Sequence, residues 1–405
     1  MTTHLLFAIS FLLPFLTVLV LVPSVSALAK KGNIVDEPNF RKKQKQPVSL
    51  LGGTLVMSAI CIGLIVMNVF ASLNNLFPAL CVLIIICVVG LIDDVVDMHY
   101  GIKFVIQIGL LLLLIFGAGY RATSLGGLIA NQHLGMFFSV ILSIFLGVLY
   151  LNAINFMDGI DGLASSFGVL FGLVVFWWCT RHGIVDHAIL ALVFSGALSA
   201  FFLINVFSKN YKMYLGDSGS LVIGMFVYMS ACINSDRFPI AGTFLTDRYV
   251  FSFVLALCSY PILDLVRVCI GRMLRKKSPF LPDRTHLHHC LVDFGYSHLM
   301  TDFGIIMANS LVILVWLLTA RTGMNDLVQC LIVLLSGIIL IWTPYYLHAH
   351  WEQFRPVQCA KRKADIAKLV EVEMNLTDKI RQIIDGKDPV EEPPINAEKD
   401  TEEHE

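Results

Sequence analysis

Eleven stretches of this chain are apolar almost throughout, at roughly 5–28, 49–71, 76–92, 104–119, 135–152, 164–180, 187–207, 215–233, 249–270, 302–320 and 325–347. A helix needs about 20 mostly apolar residues to cross a bilayer, and most of these runs reach that length. The short ones at 76–92 and 104–119 run into polar motifs, so their helices extend past the apolar part. The pattern predicts an all-α polytopic membrane protein with about eleven transmembrane helices. The first run ends in Ala27-Leu28-Ala29, like a signal-peptidase site. No Lys or Arg precedes it, however, and it exceeds the roughly 7–15 residues of a signal core. It is read as a retained first span.

Composition agrees. Of 405 residues, 57% are hydrophobic and 15% charged, with mean hydropathy +0.76. Soluble domains carry about 25% charged residues, so a soluble class is excluded. None of the ten cysteines lies in a C-x-x-C pair, which argues against a zinc ribbon. The net charge of −1 is uninformative, but its distribution is not. Loops after odd-numbered runs hold fourteen Lys and Arg (among them Lys30, Lys31, Lys42, Lys103, Lys212, Arg275 and Arg284), against five after even-numbered runs (Arg121, Arg181, Arg237, Arg248 and Arg321). Positive charge marks the cytoplasmic side. The N-terminus is therefore expected outside and the C-terminus inside.

A transmembrane domain over 1–350 and a cytoplasmic tail over 351–405 follow. In the tail, Ile366, Leu369, Val370, Met374 and Ile380 recur at helical spacing, which predicts an amphipathic helix over 356–384. The acidic, proline-bearing end beyond Gly386 predicts disorder. No internal repeat and no nucleic-acid module is evident.

Five polar stretches all fall on the expected cytoplasmic side: DEPNFRKK (36–43), IDDVVD (92–97), NAINFMDGIDGLA (152–164), YLGDSGS (214–220) and PDRTHLHH (282–289). If its helix continues, Asp93 and Asp97 share a face, and carboxylates so close need a cation or a proton. Hard oxygen ligands suit Mg²⁺; a solvated helix end is the plain alternative. Asn152, Asn155, Asp158 and Asp161 make a polar ridge punctuated by Gly159 and Gly162, or a capped loop. Asp217 begins a helix whose backbone amides favour phosphate, or it is an N-cap. Tyr214 offers a ring on which a base could stack. Arg284 could grip phosphate, and His286, His288 and His289 could donate to phosphate or work in acid–base steps. Asp264 and Arg267, three residues apart inside a span, could pair, or Arg267 could reach the site. Carboxylates, cations and a membrane scaffold on one side together imply phosphoryl transfer with one lipid partner.

DDVVD, NAINFMDGIDGLA, YLGDSGS and PDRTHLHH, in this order and spacing, resemble the polyprenyl-phosphate N-acetylhexosamine-1-phosphate transferases over roughly 1–350. The H-x-H-H form after P-D-R is similar to the WecA-type branch. The resemblance implies transfer of GlcNAc-1-phosphate from UDP-GlcNAc to undecaprenyl phosphate, releasing UMP, at the bacterial cytoplasmic (inner) membrane. This would initiate lipid-linked surface polysaccharide of the O-antigen or enterobacterial common antigen type. Another UDP-N-acetylhexosamine is the nearest alternative. It implies Mg²⁺, with Mn²⁺ as a substitute, and allows a homodimer. By motif matching, Asp217 ligates Mg²⁺, Asp93 and Asp94 hold or deprotonate the lipid phosphate, and Asp94 shares the ion. Asn152, Asn155, Asp158, Asp161 and Asn205 line the nucleotide and sugar. Tyr214 stacks on uracil, Lys103 attracts the lipid phosphate, and Arg284 with His286, His288 and His289 contacts the diphosphate. The chain departs from the pattern at Gln44, where a histidine is usual, and at Ser49, where a proline is usual. A membrane prenyltransferase would need a second D-x-x-x-D motif. A transporter would place ionisable groups at mid-membrane. Neither fits.

Overall fold

The structure is a computed structural model that describes residues 2–36, 47–123, 134–233, 250–278, 284–354 and 356–384. The apolar runs are helices, since in a bilayer a helix pairs all its backbone polar groups within one segment. In chain order they are α1 (Thr3–Lys31), α2 (Gly52–Phe70), α3 (Phe77–Val96), α4 (Tyr100–Gly117), α5 (Met136–Met157), α6 (Leu163–Arg181), α7 (Val185–Phe207) and α8 (Gly216–Ala231). There follow α9 (Val250–Leu257), α10 (Ser259–Leu274), the short α11 (Leu287–Phe294), α12 (His298–Ala320) and α13 (Asp326–Gly337). A π-helical turn carries α13 into α14 (Thr343–Phe354), and α15 (Pro356–Ile384) forms the tail. Among the described residues the protein is all-α apart from a two-residue antiparallel pair, β1 (Val35–Asp36) with β2 (Val48–Ser49), and a single parallel bridge from Ser49 to Met213.

Among the described residues nine helices are long and apolar enough to cross a membrane, or ten if the bent α9–α10 pair is one span. The eleventh expected span is α8, which has only 16 residues. Its start is set by Gly216, whose φ of +66° is open to glycine and strained for other residues. It is buried from Ser218 to Ser230, packed against α2, α3 and α5. Two glycines allow that approach. A Cβ on Gly53 would lie 2.2 Å from the Gly219 nitrogen, and one on Gly90 would lie 2.5 Å from Ser218 Cα.

The run at 249–270, expected as one span, is a bent pair in which α9 and α10 meet at 78°. Asn309 of α12 supports the break. Its Oδ1 accepts the Tyr260 N–H at 2.9 Å and the Ser259 hydroxyl at 2.7 Å, and its Nδ2 donates to the Leu257 carbonyl at 3.0 Å. Backbone groups freed at the bend are thereby paired, as hydrocarbon surroundings require.

The tail is helical over the expected range. Ile366 is buried against Phe294, and Arg381 Nε donates to the Phe207 carbonyl at 2.8 Å. Thus α15 docks on the ends of α7 and α11. The acidic stretch after 386 and Gln44 lie outside the described residues, as does DEPNFRKK apart from Asp36.

Candidate active site

Helix α3 ends at Val96 because Asp97 turns into the left-handed region (φ 53°). Asp97 is exposed there and the helix does not continue, so the face expected to join Asp93 and Asp97 does not form. Asp93 Oδ1 accepts the Met98 N–H at 2.8 Å, which fixes the turn. The chain restarts as α4, with His99 capping its first turn. Lys103 then lies within one turn of that start, and its Nζ is 2.6 Å from Asp93 Oδ2. The same ammonium pairs with Asp217 Oδ2. The other Asp217 oxygen accepts from Asn155 Nδ2 at 2.6 Å, and Asn155 also reaches Ser220 Oγ at 2.9 Å. Asp93, Lys103, Asn155 and Asp217, from four helices, therefore meet at one end of the bundle.

Asp94 has a different task. Its Oδ1 accepts the Asp217 N–H at 2.7 Å and its Oδ2 the Ser218 N–H at 3.1 Å. A carboxylate from α3 thus caps α8, where charge and orphan N–H groups favour an anion. The phosphate expected at this helix start finds both N–H groups taken.

Beside this cluster, sharing the Gly216 wall, lies a cavity of about 640 Å³. Asp36, Asp158, Asp161, Asn205, Lys212, Tyr214, Arg284, His289 and His298 line it. Lys212 Nζ is 2.7 Å from Asp161 Oδ2, and His298 Nδ1 is 3.0 Å from the same oxygen. Burial alone would raise the Asp161 carboxyl, but the His298 hydrogen bond and the Lys212 charge outweigh it and hold the group below the usual range. Its stabilising contribution is complete above the ordinary carboxylate pKa of about 4 and is lost as pH falls through the lowered value. Asp158 is the opposite case. Burial first, then the charges of Asp217, Asp94 and Asp161, push its carboxyl well above the usual range. That penalty is absent below pH about 4 and grows as pH rises toward the folded value. Asp158→Asn is therefore expected to raise the apparent melting temperature in detergent by about 2–4 °C at pH 8, and by less at pH 5. An equal change at both pH values would contradict the charge explanation.

Tyr214 is half-buried, and burial followed by the charges of Asp161 and Asp36 pushes its phenol up to about 12. The ring is neutral at physiological pH. Its backbone N–H donates to the Ser49 carbonyl at 2.9 Å, and Ser49 Oγ accepts from Leu51 N–H at 3.1 Å. Ser49 thus ties the first loop to the cavity wall through its carbonyl, while its hydroxyl holds the start of α2. Asn205 Oδ1 accepts the Gly162 N–H and its Nδ2 donates to the Met213 carbonyl, each at 2.7 Å. It stitches the aspartate loop to the Tyr214 segment while touching the cavity. Asn152 instead faces α4, donating to Gln107 Oε1 at 3.2 Å.

The histidines divide. His289 faces the cavity and is held neutral, its pKa lowered by burial and then by the Arg284 charge. His286 is buried and donates through Nδ1 to Asp264 Oδ2 at 2.8 Å. His288 is fully buried, with Nδ1 3.2 Å from the Tyr260 hydroxyl. Burial and then His289 hold its imidazole down to about 3. Neither His286 nor His288 lines the cavity. Arg284 does, and pairs with Asp293 at 2.7 Å. Arg267 pairs with Asp264 at 2.7 Å.

Lys212 and His298 were missed by sequence reasoning as site residues. Lys212 counted only as an orientation marker, although it stands two residues before Tyr214. His298 lies in no motif at all. Among the described residues no three carboxylate, imidazole or thiol groups are arranged as a metal site. What converges is a carboxylate pair, Asp93 with Asp217, on one point. Mg²⁺ is usually held by one or two carboxylates with waters and substrate phosphates completing its shell, so this pair fits it by donor type and number.

Residues 76–235, which carry Asp93, Lys103, Asn155, Asp158, Asp161, Asn205, Tyr214 and Asp217, match the family model described as glycosyl transferase family 4. The undecaprenyl-phosphate alpha-N-acetylglucosaminyl 1-phosphate transferase of Escherichia coli (strain K12) is 26% identical over 345 residues, covering 83% of this chain and 89% of that one. The protein of the same name from Yersinia pestis is 25% identical over 375 residues, 90% and 96% of the two chains. A probable undecaprenyl-phosphate N-acetylglucosaminyl 1-phosphate transferase of Bacillus subtilis (strain 168) is 28% identical over 297 residues, 72% and 79%. In its all-α membrane bundle, its ordered motifs and these relatives, the chain is similar to glycosyl transferase family 4 proteins.

Proposed function

We propose that this enzyme transfers N-acetylglucosamine 1-phosphate from UDP-GlcNAc to undecaprenyl phosphate, releasing UMP, at the cytoplasmic face of a bacterial inner membrane. The observation that carries the reading is the meeting of Asp93, Lys103, Asn155 and Asp217 at helix ends beside a 640 Å³ cavity. Small-molecule and cofactor sites span about 300–1,000 Å³. A nucleotide sugar enters from the aqueous cavity, while the lipid phosphate reaches the cluster from the bilayer.

In this scheme a lipid phosphate oxygen attacks the sugar-linked phosphorus, the bond to the UMP phosphate breaks, and UMP leaves. Lys103 draws the acceptor phosphate and Arg284 the diphosphate, which lowers the repulsion between two anionic reactants. Asp158 and Asp161 orient the sugar hydroxyls and the nucleotide from the cavity floor. Asn155 holds Asp217 in place. Mg²⁺, with Mn²⁺ as a substitute, would be held by Asp217 with Asp93 and would neutralise charge developing on the phosphoryl oxygens. Both Asp94 oxygens are engaged by α8, so Asp94 positions Asp217. Direct attack is preferred to a covalent phosphoenzyme because the lipid phosphate is already anionic.

A membrane assay with radiolabelled UDP-GlcNAc and undecaprenyl phosphate, with and without Mg²⁺, tests the reaction. Absence of both labelled lipid and UMP overturns it, and preference for UDP-GalNAc in competition would revise the sugar. Tyr214→Ala is expected to raise KM for UDP-GlcNAc about tenfold, since base–aromatic stacking contributes about 1–3 kcal/mol. Tyr214→Phe should stay near wild type. An unchanged KM in the alanine variant would remove Tyr214 from the nucleotide site.

A further inference from the structure

Each carboxylate of the Asp93–Asp217 pair has one oxygen committed to the scaffold and one free for a cation. Asp93 Oδ1 is tied to the Met98 N–H, and Asp217 Oδ1 to Asn155. The two remaining oxygens, Asp93 Oδ2 and Asp217 Oδ2, both meet Lys103 Nζ. The three side chains are 9%, 29% and 15% exposed, respectively, so water screens the arrangement only in part. Two largely buried carboxylates facing each other repel unless a cation or a shared proton lies between them. The position a bridging divalent ion would take is therefore filled by an ammonium from the chain itself.

We propose that Lys103 is an internal stand-in for the divalent cation. It holds the Asp93–Asp217 gap in the metal-free enzyme, yields it when the metal binds, and is thereby released to take up a phosphate group. The inference rests on the metal assignment proposed above and adds that metal and lipid phosphate bind with positive linkage. Lysine suits such an exchange, because its ammonium is a point charge on a flexible four-carbon stem. Lys103 stands in the first turn of α4, directly after the 97–99 connection. Its swing away from Asp93 and Asp217 would need no movement of either carboxylate, since both are held by their other oxygens. Linkage is reciprocal: whatever binds the released ammonium tightens the metal, and the metal favours that ligand.

Mn²⁺ binding to the purified full-length protein in detergent, read as loss of the free-ion paramagnetic resonance signal without nucleotide, tests this. Lys103→Gln is expected to bind Mn²⁺ about tenfold more tightly than wild type. Farnesyl phosphate should tighten Mn²⁺ binding in the wild type and leave the variant unchanged. A second measurement needs no variant: Mn²⁺ should increase labelling of Lys103 by an amine-reactive reagent, read by peptide mass spectrometry. Equal or weaker Mn²⁺ binding in Lys103→Gln, or labelling of Lys103 that Mn²⁺ leaves unchanged or lowers, overturns the stand-in role while the metal assignment survives. Absence of Mn²⁺ binding by either protein overturns both.

Discussion

Asp217→Asn is expected to reduce formation of labelled lipid by at least about a thousandfold, while the protein still folds. The two halves of the residue do separate work. Its backbone N–H is held by Asp94 at 2.7 Å, and that bond is independent of the side chain, so α8 stays in place. Its side chain has one oxygen on Asn155 and one on Lys103. An amide of the same shape loses the negative charge and keeps only one acceptor for these two donors. It also turns an NH₂ either toward the Lys103 ammonium or toward the Asn155 amide. In a site whose work is charge stabilisation, loss of a preorganised group of this kind costs about 10²–10³ in turnover, and loss of a carboxylate expected to hold the metal adds to it. Transfer would be followed by labelled lipid and UMP release, and folding by the melting temperature in detergent. Activity within about tenfold of wild type would show that Asp217 is not the metal carboxylate.

The contrast with Asp94 shows what the sequence carries. Asp94 ends one apolar run and Asp217 opens another, and both were read as substrate or metal groups. Nothing local distinguishes their roles. What does is a partner 123 residues away, the N-terminus of α8, that takes both Asp94 oxygens. The membrane helices were legible because a bilayer demands long apolar segments, and that demand is local in sequence. Their exceptions were not legible for the same reason. The bend between α9 and α10 is supported by Asn309, some fifty residues on, and the apolar run gives no sign of it. The early end of α3 depends on Asp97 entering a left-handed turn. Among the site residues, acids and amides in glycine-punctuated motifs stood out. Lys212 and His298 reach the cavity through the folding of separate loops onto Asp161, so no spacing could reveal them. The histidine run divided similarly. His289 turns toward the cavity, whereas His286 and His288 are drawn inward by Asp264 and Tyr260.

That inward pull sets the second large effect, expected for Asp264→Ala. Asp264 is 3% exposed and is the anchor of the 284–294 segment. Its Oδ1 accepts from Arg267 at 2.7 Å and from the Leu287 N–H at 3.1 Å, and its Oδ2 accepts from His286. Alanine would leave Arg267 with the Thr285 carbonyl at 2.6 Å and the Tyr345 ring at 4.0 Å, but without a counter-charge. Removing one partner of a buried ion pair costs about 3–5 kcal/mol, here concentrated where α10 meets α11. The effect should spread to the cavity along two contacts. Arg284 and His289, both on its wall, flank the anchored residues. His288 packs directly on the aspartate loop, where a Cβ on Gly159 would lie 2.3 Å from its Nε2. Asp264→Ala should therefore lower the melting temperature, raise hydrogen exchange over 284–294 and raise KM for the nucleotide sugar together. Asp264→Asn, which keeps acceptors for Leu287 and Arg267, should do each of these to a smaller extent. A lowered melting temperature with unchanged exchange in 284–294 would show that Asp264 stabilises the bundle without holding the cavity wall, and would detach it from the site.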